Sequence, residues 1–503
     1  MMPINQQNKP NILLIVSDQH RYDCMGAYGN PDIRTPYLDA LSEDGVTYKN
    51  SFCSSPFCTP SRYSLLTGLY PHQHLGWGNL STIPSGIATF PKLLQLAGYR
   101  TKAVGKMHLT PTYLDVGFDD MILAEQNGDG RYEDDYHRYL MEQGLLDRLD
   151  LMDQVKEYRE KAPPSYWDTF GTEASNLSEE HHSTTWIGNQ ALTAIENWGT
   201  HNEMLMVSFI KPHHPFDPPV PWSSMYNPAE LHLLPGWTDQ PLERDLRMHP
   251  GFFEHTRLTE EKLRRTMTHY YGAISHIDHM TGQFVEALKR KGIYDNTLVI
   301  YTSDHGEYMG YHHMLLKSNY MYEPLAKVPL LVKYPGGVNA GECSDQLINN
   351  IDISTTILAA AGVNKDKSMV GINLMSSEEQ GREFIIGEDS RGRQYMVRSE
   401  RYKLILTRDH SKCVFFDLQN DPLELNNLID DPDYEEHITR CRHALQQTLL
   451  FDAPSPSYLD RNAPIITGNR VPNDSTVRKR VSEWIAGNWN TEDGFVDKNR
   501  ELR

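Results

Sequence analysis

The chain has 503 residues, of which 39% are hydrophobic and 23% charged, and its formal net charge is −19. The composition is that of an ordinary globular protein, and the length predicts one large domain with a smaller one beside it. The acidic surface excludes nucleic acid and anionic membranes as expected partners. An anionic substrate would therefore need a local positive site.

The N-terminal segment and the cysteine content bear on the compartment. Residues 1–10 are polar and contain no apolar signal-peptide core, and the apolar run at 11–17 is too short to span a bilayer. Six cysteines in this length do not indicate a disulfide framework. We expect a reduced, cytoplasmic protein without a membrane partner, or a periplasmic one if a leader has been removed.

Short apolar runs rich in β-branched residues predict strands that are buried on both faces of a parallel sheet. In chain order they lie at 12–16, 100–104, 204–210 and 297–302. Helical patterns at 36–44, 90–97, 184–198 and 259–291 alternate with them. This order predicts an α/β fold with a large, mostly parallel sheet flanked by helices.

Each predicted strand is followed by charged, amide or imidazole side chains. They are, in chain order, Asp18, Gln19, Lys106, His108, Lys211, His213, Asp304 and His305. Sites in such sheets form beyond the carboxyl ends of the strands, and the repeated Ser-Asp-polar pattern after the first and last strands predicts two halves of one metal site. The oxygen donors favour a hard cation, with Ca²⁺ as first choice and Mg²⁺ as an alternative, and the imidazole of His305 adds Mn²⁺ as a further alternative.

The predicted strands and helices belong to an N-terminal α/β domain at 1–375. Within it, residues 128–183 are polar and charged, so we expect an insertion of helices and loops over one edge of the sheet that shapes the substrate pocket. Alternating short runs at 376–452 predict a smaller antiparallel sheet with a helix. The tail at 453–503 either wraps a neighbouring subunit of a homo-oligomer or lies on the surface.

The segment 53–68 combines a cysteine with a helix start. Pro60 favours a helix beginning there and Gly68 favours its end. Cys58 would then lie at a helix N-terminus, where backbone N–H groups favour an anion, and Arg62 would add positive charge one turn later. From these residues alone, a buried structural thiol and a low-pKa nucleophile are both open.

Residues 58–62, with the sequence Cys-Thr-Pro-Ser-Arg and a continuation through Gly68, resemble the signature of the type I, formylglycine-dependent sulfatases of the alkaline phosphatase superfamily. Further similar segments lie at 105–108, 212–216, 304–307, 322–330, 402–405 and 417–422, so the resemblance covers about 10–430. It implies an alkaline-phosphatase-like fold and hydrolysis of an organic sulfate ester, with a carbohydrate or oligosaccharide sulfate as the expected substrate.

The resemblance also implies roles for residues. Cys58 would be oxidised to formylglycine by a formylglycine-generating enzyme, and its aldehyde hydrate would be the nucleophile. His213 would protonate the leaving alcohol, and His108 would take up a proton as sulfate is expelled. The implied catalytic set is Cys58, Arg62, Lys106, His108, His213 and Lys317, of which Lys106, His213 and Lys317 also bind substrate, and the implied metal ligands are Asp18, Gln19, Cys58, Asp304 and His305.

Two other functions remain open at this point. Gln19 replaces the second aspartate of the usual family pattern, and Asp-Gln at this place also occurs in choline-sulfatase-like enzymes and in phosphonate monoester hydrolases of the same superfamily; a phosphonate monoester or phosphodiester hydrolase is therefore the second alternative. Lys106 with His108, and the Pro-Ser of the cysteine motif, favour sulfate instead. A non-enzymatic binding protein that keeps Cys58 unmodified is the third alternative.

Overall fold

The computed structural model describes residues 9–199, 202–248, 252–317, 320–376, 381–389, 392–455 and 475–489. The strands are β1 (Asn11–Asp18), β2 (Val46–Phe52), β3 (Arg100–Gly105), β4 (Asp120–Leu123), β5 (Glu203–Pro212), β6 (Thr297–Ser303), β7 (Leu330–Lys333), β8 (Glu342–Asn349), β9 (Ile385–Asp389), β10 (Gln394–Arg398), β11 (Tyr402–Thr407) and β12 (Val414–Asp417).

The helices of the N-terminal half are α1 (Pro36–Asp44), α2 (Cys58–Thr67), α3 (Pro71–His74), α4 (Phe90–Leu96), α5 (Gly130–Glu133), α6 (Asp135–Gln143), α7 (Arg148–Gln154), α8 (Lys156–Arg159), α9 (Pro164–Asp168) and α10 (Ser183–Glu196). The later helices are α11 (Glu243–Met248), α12 (Glu260–Arg290), α13 (Glu323–Ala326), α14 (Ile351–Ala360), α15 (Glu435–Gln447) and α16 (Ser475–Asn488). No helix within these described ranges is both long enough and apolar enough to cross a bilayer.

Eight strands form the large sheet in the order β4-β3-β5-β1-β6-β7-β2-β8. All neighbouring pairs are parallel except those that β7 makes with β6 and β2, so β7 alone runs against the others. The side chains of residues 12–16 in β1 are fully buried. They alternate between two apolar cores, one on each face of the sheet. This arrangement explains the uninterrupted apolar runs and confirms the predicted α/β class.

Four strands of this sheet are not predicted by the sequence pattern. β4 and β8 lie at its two edges, and β8 is largely exposed over its first half, so neither carries a continuous apolar run. β2 contains Lys49 and Asn50, which are not buried. β7 is fully buried, but its four residues are too few to give a periodic signal.

The smaller sheet has the antiparallel order β12-β11-β10-β9. Side chains of one face pack towards the large sheet, beside Phe52 and Tyr322, and those of the other face pack under Ile438 and Leu445 of α15. This matches the predicted antiparallel sheet with a covering helix. All four strands lie inside 376–452, and the domain boundaries themselves stay a prediction.

Residues 128–183 fold into α5 to α9 with connecting loops, and α6 contacts the edge strand β4. The described part of the tail, α16, packs on this insertion. Val481, Trp484 and Ile485 contact an apolar patch that includes Leu146 and Tyr158 of the same chain. The rest of the tail, 456–474 and 490–503, lies outside the described residues, so a contact with a neighbouring subunit stays a prediction.

Candidate active site

The two Ser-Asp pairs at the carboxyl ends of β1 and β6 lie next to each other. β1 and β6 are parallel neighbours with Ser17 opposite Ser303, so the residues that follow are adjacent. The Gln19 backbone N–H donates to Asp304 Oδ1 at 3.1 Å, and the Asp304 backbone N–H donates to the Ser17 carbonyl at 3.2 Å. Both aspartate side chains are buried. The predicted convergence of the two halves is therefore present.

Cys58 is the first residue of α2, whose ten residues are all buried. The helix starts at Cys58, within two residues of the start that Thr59 and Pro60 predict, and Gly68 follows its last residue as predicted. The Cys58 Sγ lies 3.7 Å from Asp18 Oδ1, 3.3 Å from His305 Nε2 and 3.1 Å from Lys317 Nζ. Burial alone would raise the pKa of this thiol, but Lys317, Lys106 and His305 together hold the pKa well below its ordinary value.

Arg62 ties the two carboxylates together. Its Nε donates to Asp304 Oδ2 at 2.8 Å and its Nη2 to Asp18 Oδ2 at 3.2 Å. The remaining Nη1 donates to the Lys106 carbonyl at 2.6 Å and to Ser208 Oγ at 2.7 Å. The planar guanidinium thus uses its fixed donor geometry to orient both aspartates.

Four ligand atoms, from Asp18, Cys58, Asp304 and His305, lie within 4.8 Å of one another. The His305 Nδ1 faces the Gly306 carbonyl at 2.9 Å, so Nε2 is directed to the cluster. Gln19 adds an amide oxygen that is buried and has no hydrogen-bond partner among the described residues, while its Nε2 donates to Glu307. Two carboxylates, an imidazole and an orphaned amide oxygen are donors that fit a divalent cation.

Two lysines bring positive charge into this pocket. Lys106 is fully buried, with its Nζ 2.7 Å from Asp18 Oδ2 and 3.2 Å from Gln126 Oε1. Burial would lower its pKa, but the Asp18 carboxylate and the Cys58 sulfur together outweigh burial and raise it. Lys317 Nζ lies 3.0 Å from His305 Nε2 and 3.3 Å from His213 Nε2. In a chain of net charge −19, this is the local positive site that an anionic substrate requires.

Two histidines flank Cys58 on different strand ends. The His213 Nδ1 faces the His214 carbonyl at 2.7 Å, and burial, followed by the nearby His214 and Lys317, holds the His213 pKa well below its ordinary value. His108 has a left-handed φ of 55°. Both of its ring nitrogens are buried without a hydrogen-bond partner in the described structure, and its side chain helps to lower the Cys58 pKa.

Two supporting residues were missed in the sequence analysis. Glu125 Oε1 accepts the backbone N–H groups of Met107 and His108, both at 2.9 Å, and so holds His108 in place. Gln126 binds Lys106. Both residues follow β4. If this short edge strand had been predicted, the rule that site residues follow the strands would have identified them.

All ten predicted site residues thus lie at the carboxyl ends of β1, β3, β5 and β6, on α2, or in the loop that leads to α13. The structure brings together the predicted metal ligands, both lysines and both histidines. Their chemical roles stay predictions. The arrangement offers a cluster of candidate cation ligands with two lysine ammonium groups beside it, and Cys58 belongs to both.

The sequence and the fold were compared with those of known proteins. Residues 10–363 match the sulfatase family, and residues 310–449 match the C-terminal region of N-sulphoglucosamine sulphohydrolases. A crystal structure of a phosphonate monoester hydrolase of Agrobacterium radiobacter superposes with a TM-score of 0.72 at 24% identity, covering 92% of this chain and 100% of that one. That likeness confirms the predicted fold.

Two relatives match along most of the chain. An arylsulfatase of Clostridium perfringens (strain 13 / Type A) is 30% identical over 490 residues, which cover 90% of this chain and 97% of that protein. An N-acetylglucosamine-6-O-sulfatase of Bacteroides thetaiotaomicron is 27% identical, covering 88% of this chain and 87% of that protein. From these matches and the geometry of the site, we conclude that the chain belongs to the sulfatase family and is a sulfuric ester hydrolase.

Proposed function

We propose that the protein hydrolyses a carbohydrate sulfate ester, with a formylglycine made from Cys58 as the nucleophile and a divalent cation, Ca²⁺ as first choice, bound beside it. The observation that carries this proposal is the position of Cys58. Its Sγ lies among the candidate metal ligands and is 3.1 Å from Lys317 Nζ. The N-acetylglucosamine-6-O-sulfatase among the relatives supports a sugar as the alcohol component.

The cation would be held by Asp18, Gln19, Asp304, His305 and an oxygen on the modified Cys58. When bound, it supplies positive charge that lowers the pKa of the hydrate and helps to hold the sulfate. Arg62 keeps the two carboxylates in position for it. The modification itself requires a formylglycine-generating enzyme acting on this chain.

Lys106 and Lys317 would hold the peripheral oxygens of the sulfate group. Their ammonium groups approach Cys58 and Asp18 inside a buried pocket, where fixed positive charge stabilises a multiply charged transition state more strongly than it would in water. Because Gln126 Oε1 accepts a hydrogen bond from Lys106 Nζ, the ammonium group of that lysine is already in place before substrate binds.

The leaving alcohol needs a proton. His213 carries its hydrogen on Nδ1, where the His214 carbonyl accepts it, so Nε2 presents a lone pair towards Lys317 Nζ. Bound sulfate brings negative charge that favours a second hydrogen on Nε2, and His213 passes this hydrogen to the leaving oxygen while Lys317 keeps its positive charge on the sulfate. A positioned acid of this kind contributes about 10²–10⁴ in rate.

His108 would act at the end of the turnover. Its ring nitrogens have no competing partner among the described residues, and Glu125 fixes its backbone beside Cys58. It accepts a proton from the remaining hydroxyl as sulfate departs and the aldehyde is restored. The glutamate is thus a positioning residue for the base.

The test is to produce the protein with and without a formylglycine-generating enzyme and to measure the mass of the peptide that contains Cys58. We expect sulfate release from N-acetylglucosamine 6-sulfate or 4-nitrophenyl sulfate only by protein with the aldehyde, and none by Cys58→Ala. Equal activity of unmodified protein would contradict the proposal. Modified protein that binds sulfated sugars but never hydrolyses them would favour a binding protein.

One observation favours a second candidate, a phosphonate monoester or phosphodiester hydrolase. Gln19 makes the candidate metal site less negative than one with two aspartates after β1. Rates on 4-nitrophenyl sulfate and on a phenyl phosphonate ester, measured with the same modified preparation, separate the two. Faster turnover of the phosphonate would replace the first proposal by the second.

A further inference from the structure

His214 follows His213 directly, and their rings are stacked with centroids 4.2 Å apart and planes 23° apart. The His214 ring turns away from the lysines towards the insertion, where its Nδ1 lies 2.5 Å from Asp153 Oδ1 in α7. The proposed reaction gives neither residue a role. Their contact joins the insertion to His213, the histidine proposed above to protonate the leaving alcohol.

Asp153 is fully buried and has several donors. Besides His214, the Tyr166 hydroxyl donates to Asp153 Oδ2 at 2.5 Å, and Gln154 Nε2 donates to Oδ1. Burial alone would raise the pKa of this carboxyl, but His214 and these hydrogen bonds outweigh burial and lower it. Asp153 is therefore an ionised acceptor that fixes the orientation of the His214 ring and places the hydrogen on its Nδ1.

The His214 backbone carbonyl is the second fixed point. It accepts the His213 Nδ1–H at 2.7 Å, Gln126 Nε2 at 2.9 Å and Gln154 Nε2 at 3.1 Å. A carbonyl oxygen has two lone pairs, so three donors leave it little freedom to move. The His214 carbonyl sets the tautomer and direction of the His213 ring. This carbonyl is itself held by Gln126, which follows β4, and by Gln154 of α7.

We infer that Asp153, acting through His214, is a positioning residue that holds His213 Nε2 towards the leaving oxygen of the substrate. The inference rests on the proposed function. The stack fixes one face of the His213 ring, and the His214 carbonyl fixes its Nδ1. Without the carboxylate the His214 ring can rotate. The ring stack and the His214 carbonyl then hold the His213 ring less firmly.

This role predicts an effect that depends on the leaving group. A sugar alcohol is a poor leaving group and needs a well-placed acid, whereas 4-nitrophenolate leaves as a stable anion and gains little from protonation. A residue that only stabilises the fold would affect both substrates equally. The difference between the two substrates is therefore the informative quantity.

The experiment compares kcat/KM of Asp153→Asn and His214→Phe with that of the wild type on N-acetylglucosamine 6-sulfate and on 4-nitrophenyl sulfate. We expect a loss of about tenfold or more on the sugar sulfate, mainly in kcat, and a change within about twofold on the aryl sulfate. Phenylalanine keeps the stack and the backbone carbonyl but cannot bind Asp153. It carries the comparison if Asp153→Asn fails to fold.

The matched control is a pair of the same chemistry outside the candidate active site, in which the exposed His232 places its Nδ1 3.0 Å from Oδ1 of the largely buried Asp32. Asp32→Asn should leave both substrates unaffected. Equal losses on both substrates, or no loss on either, would overturn the inference while the proposed function stands. A modified wild-type protein that hydrolyses no sulfate ester would overturn the proposed function, and the inference with it.

Discussion

Gln19 and Glu307 form a pair at the rim of the candidate metal site. The Gln19 amide donates its N–H to Glu307, whose other oxygen accepts the backbone N–H groups of Met309 and Leu316, so the glutamate is fixed. Burial raises the pKa of Glu307. An aspartate at position 19 would face this carboxyl directly, and like charges at contact are unfavourable. The neutral amide at 19 is thus explained by its neighbour.

This pairing predicts a double-variant result. Gln19→Asp alone should weaken cation binding about 10–100-fold, because the new carboxylate loses the hydrogen bond with Glu307 that orients residue 19 and is repelled by that glutamate. Gln19→Asp combined with Glu307→Gln should restore or exceed the wild-type affinity, because the amide and the carboxylate have only exchanged places. Calorimetric titration with Ca²⁺, Mg²⁺ and Mn²⁺ measures this. A tighter site in the single variant would show that Glu307 does not control the identity of residue 19.

Residues and elements differ in how far the sequence predicts them. Asp18 and Asp304 could be predicted because each follows a buried apolar strand, and Cys58 because its motif is local. Asp153 could not, because its role depends on how an insertion folds over the sheet edge. In the same way β1 was predictable from its fully buried run, whereas the half-exposed edge strand β8 has a composition that gives no strand signal.

At the scale of elements, a side chain of α12 caps the N-terminus of α1. Asp278 Oδ1 accepts the backbone N–H groups of Tyr37 at 3.0 Å and Leu38 at 2.7 Å. These groups lie in the first turn of α1, where the helix itself supplies no acceptor. Burial raises the pKa of Asp278 from 3.8 to about 7. The folded protein therefore keeps a proton that the unfolded chain has lost, and stability should fall as pH rises from about 4 to about 7 and then level off.

Asp278→Asn should remove this part of the pH dependence. The asparagine oxygen can still accept both N–H groups but cannot ionise, so the variant gains stability relative to the wild type at pH 8 and gains little at pH 4. Urea unfolding at several pH values measures the difference. Glu286→Gln, on the exposed face of the same helix, should keep the wild-type slope. A parallel shift of Asp278→Asn at every pH would contradict the assignment.

At the scale of the whole molecule, the C-terminal helix α16 covers the insertion that supports the candidate active site. Val481, Trp484 and Ile485 are buried against Leu146, Leu151 and Tyr158, and Arg478 pairs with Asp129 beside α5. Burial of each large apolar side chain stabilises a protein by about 1.5–3 kcal/mol. The helix therefore contributes to holding α7, the element that carries Asp153.

Truncation after residue 455 should expose this apolar patch and loosen the insertion. We expect a lower Tm, faster protease cleavage within 128–183, and a selective loss of kcat/KM on the sugar sulfate like that of Asp153→Asn. Trp484→Ala should reproduce the effect, since removal of a buried tryptophan costs about 3–5 kcal/mol, and Arg480→Ala on the exposed face should not. Sedimentation separates the two predictions for the tail. An unchanged number of subunits on truncation fits a helix bound to its own chain, whereas dissociation of an oligomer, with the insertion still protected, would place the tail on a neighbouring subunit.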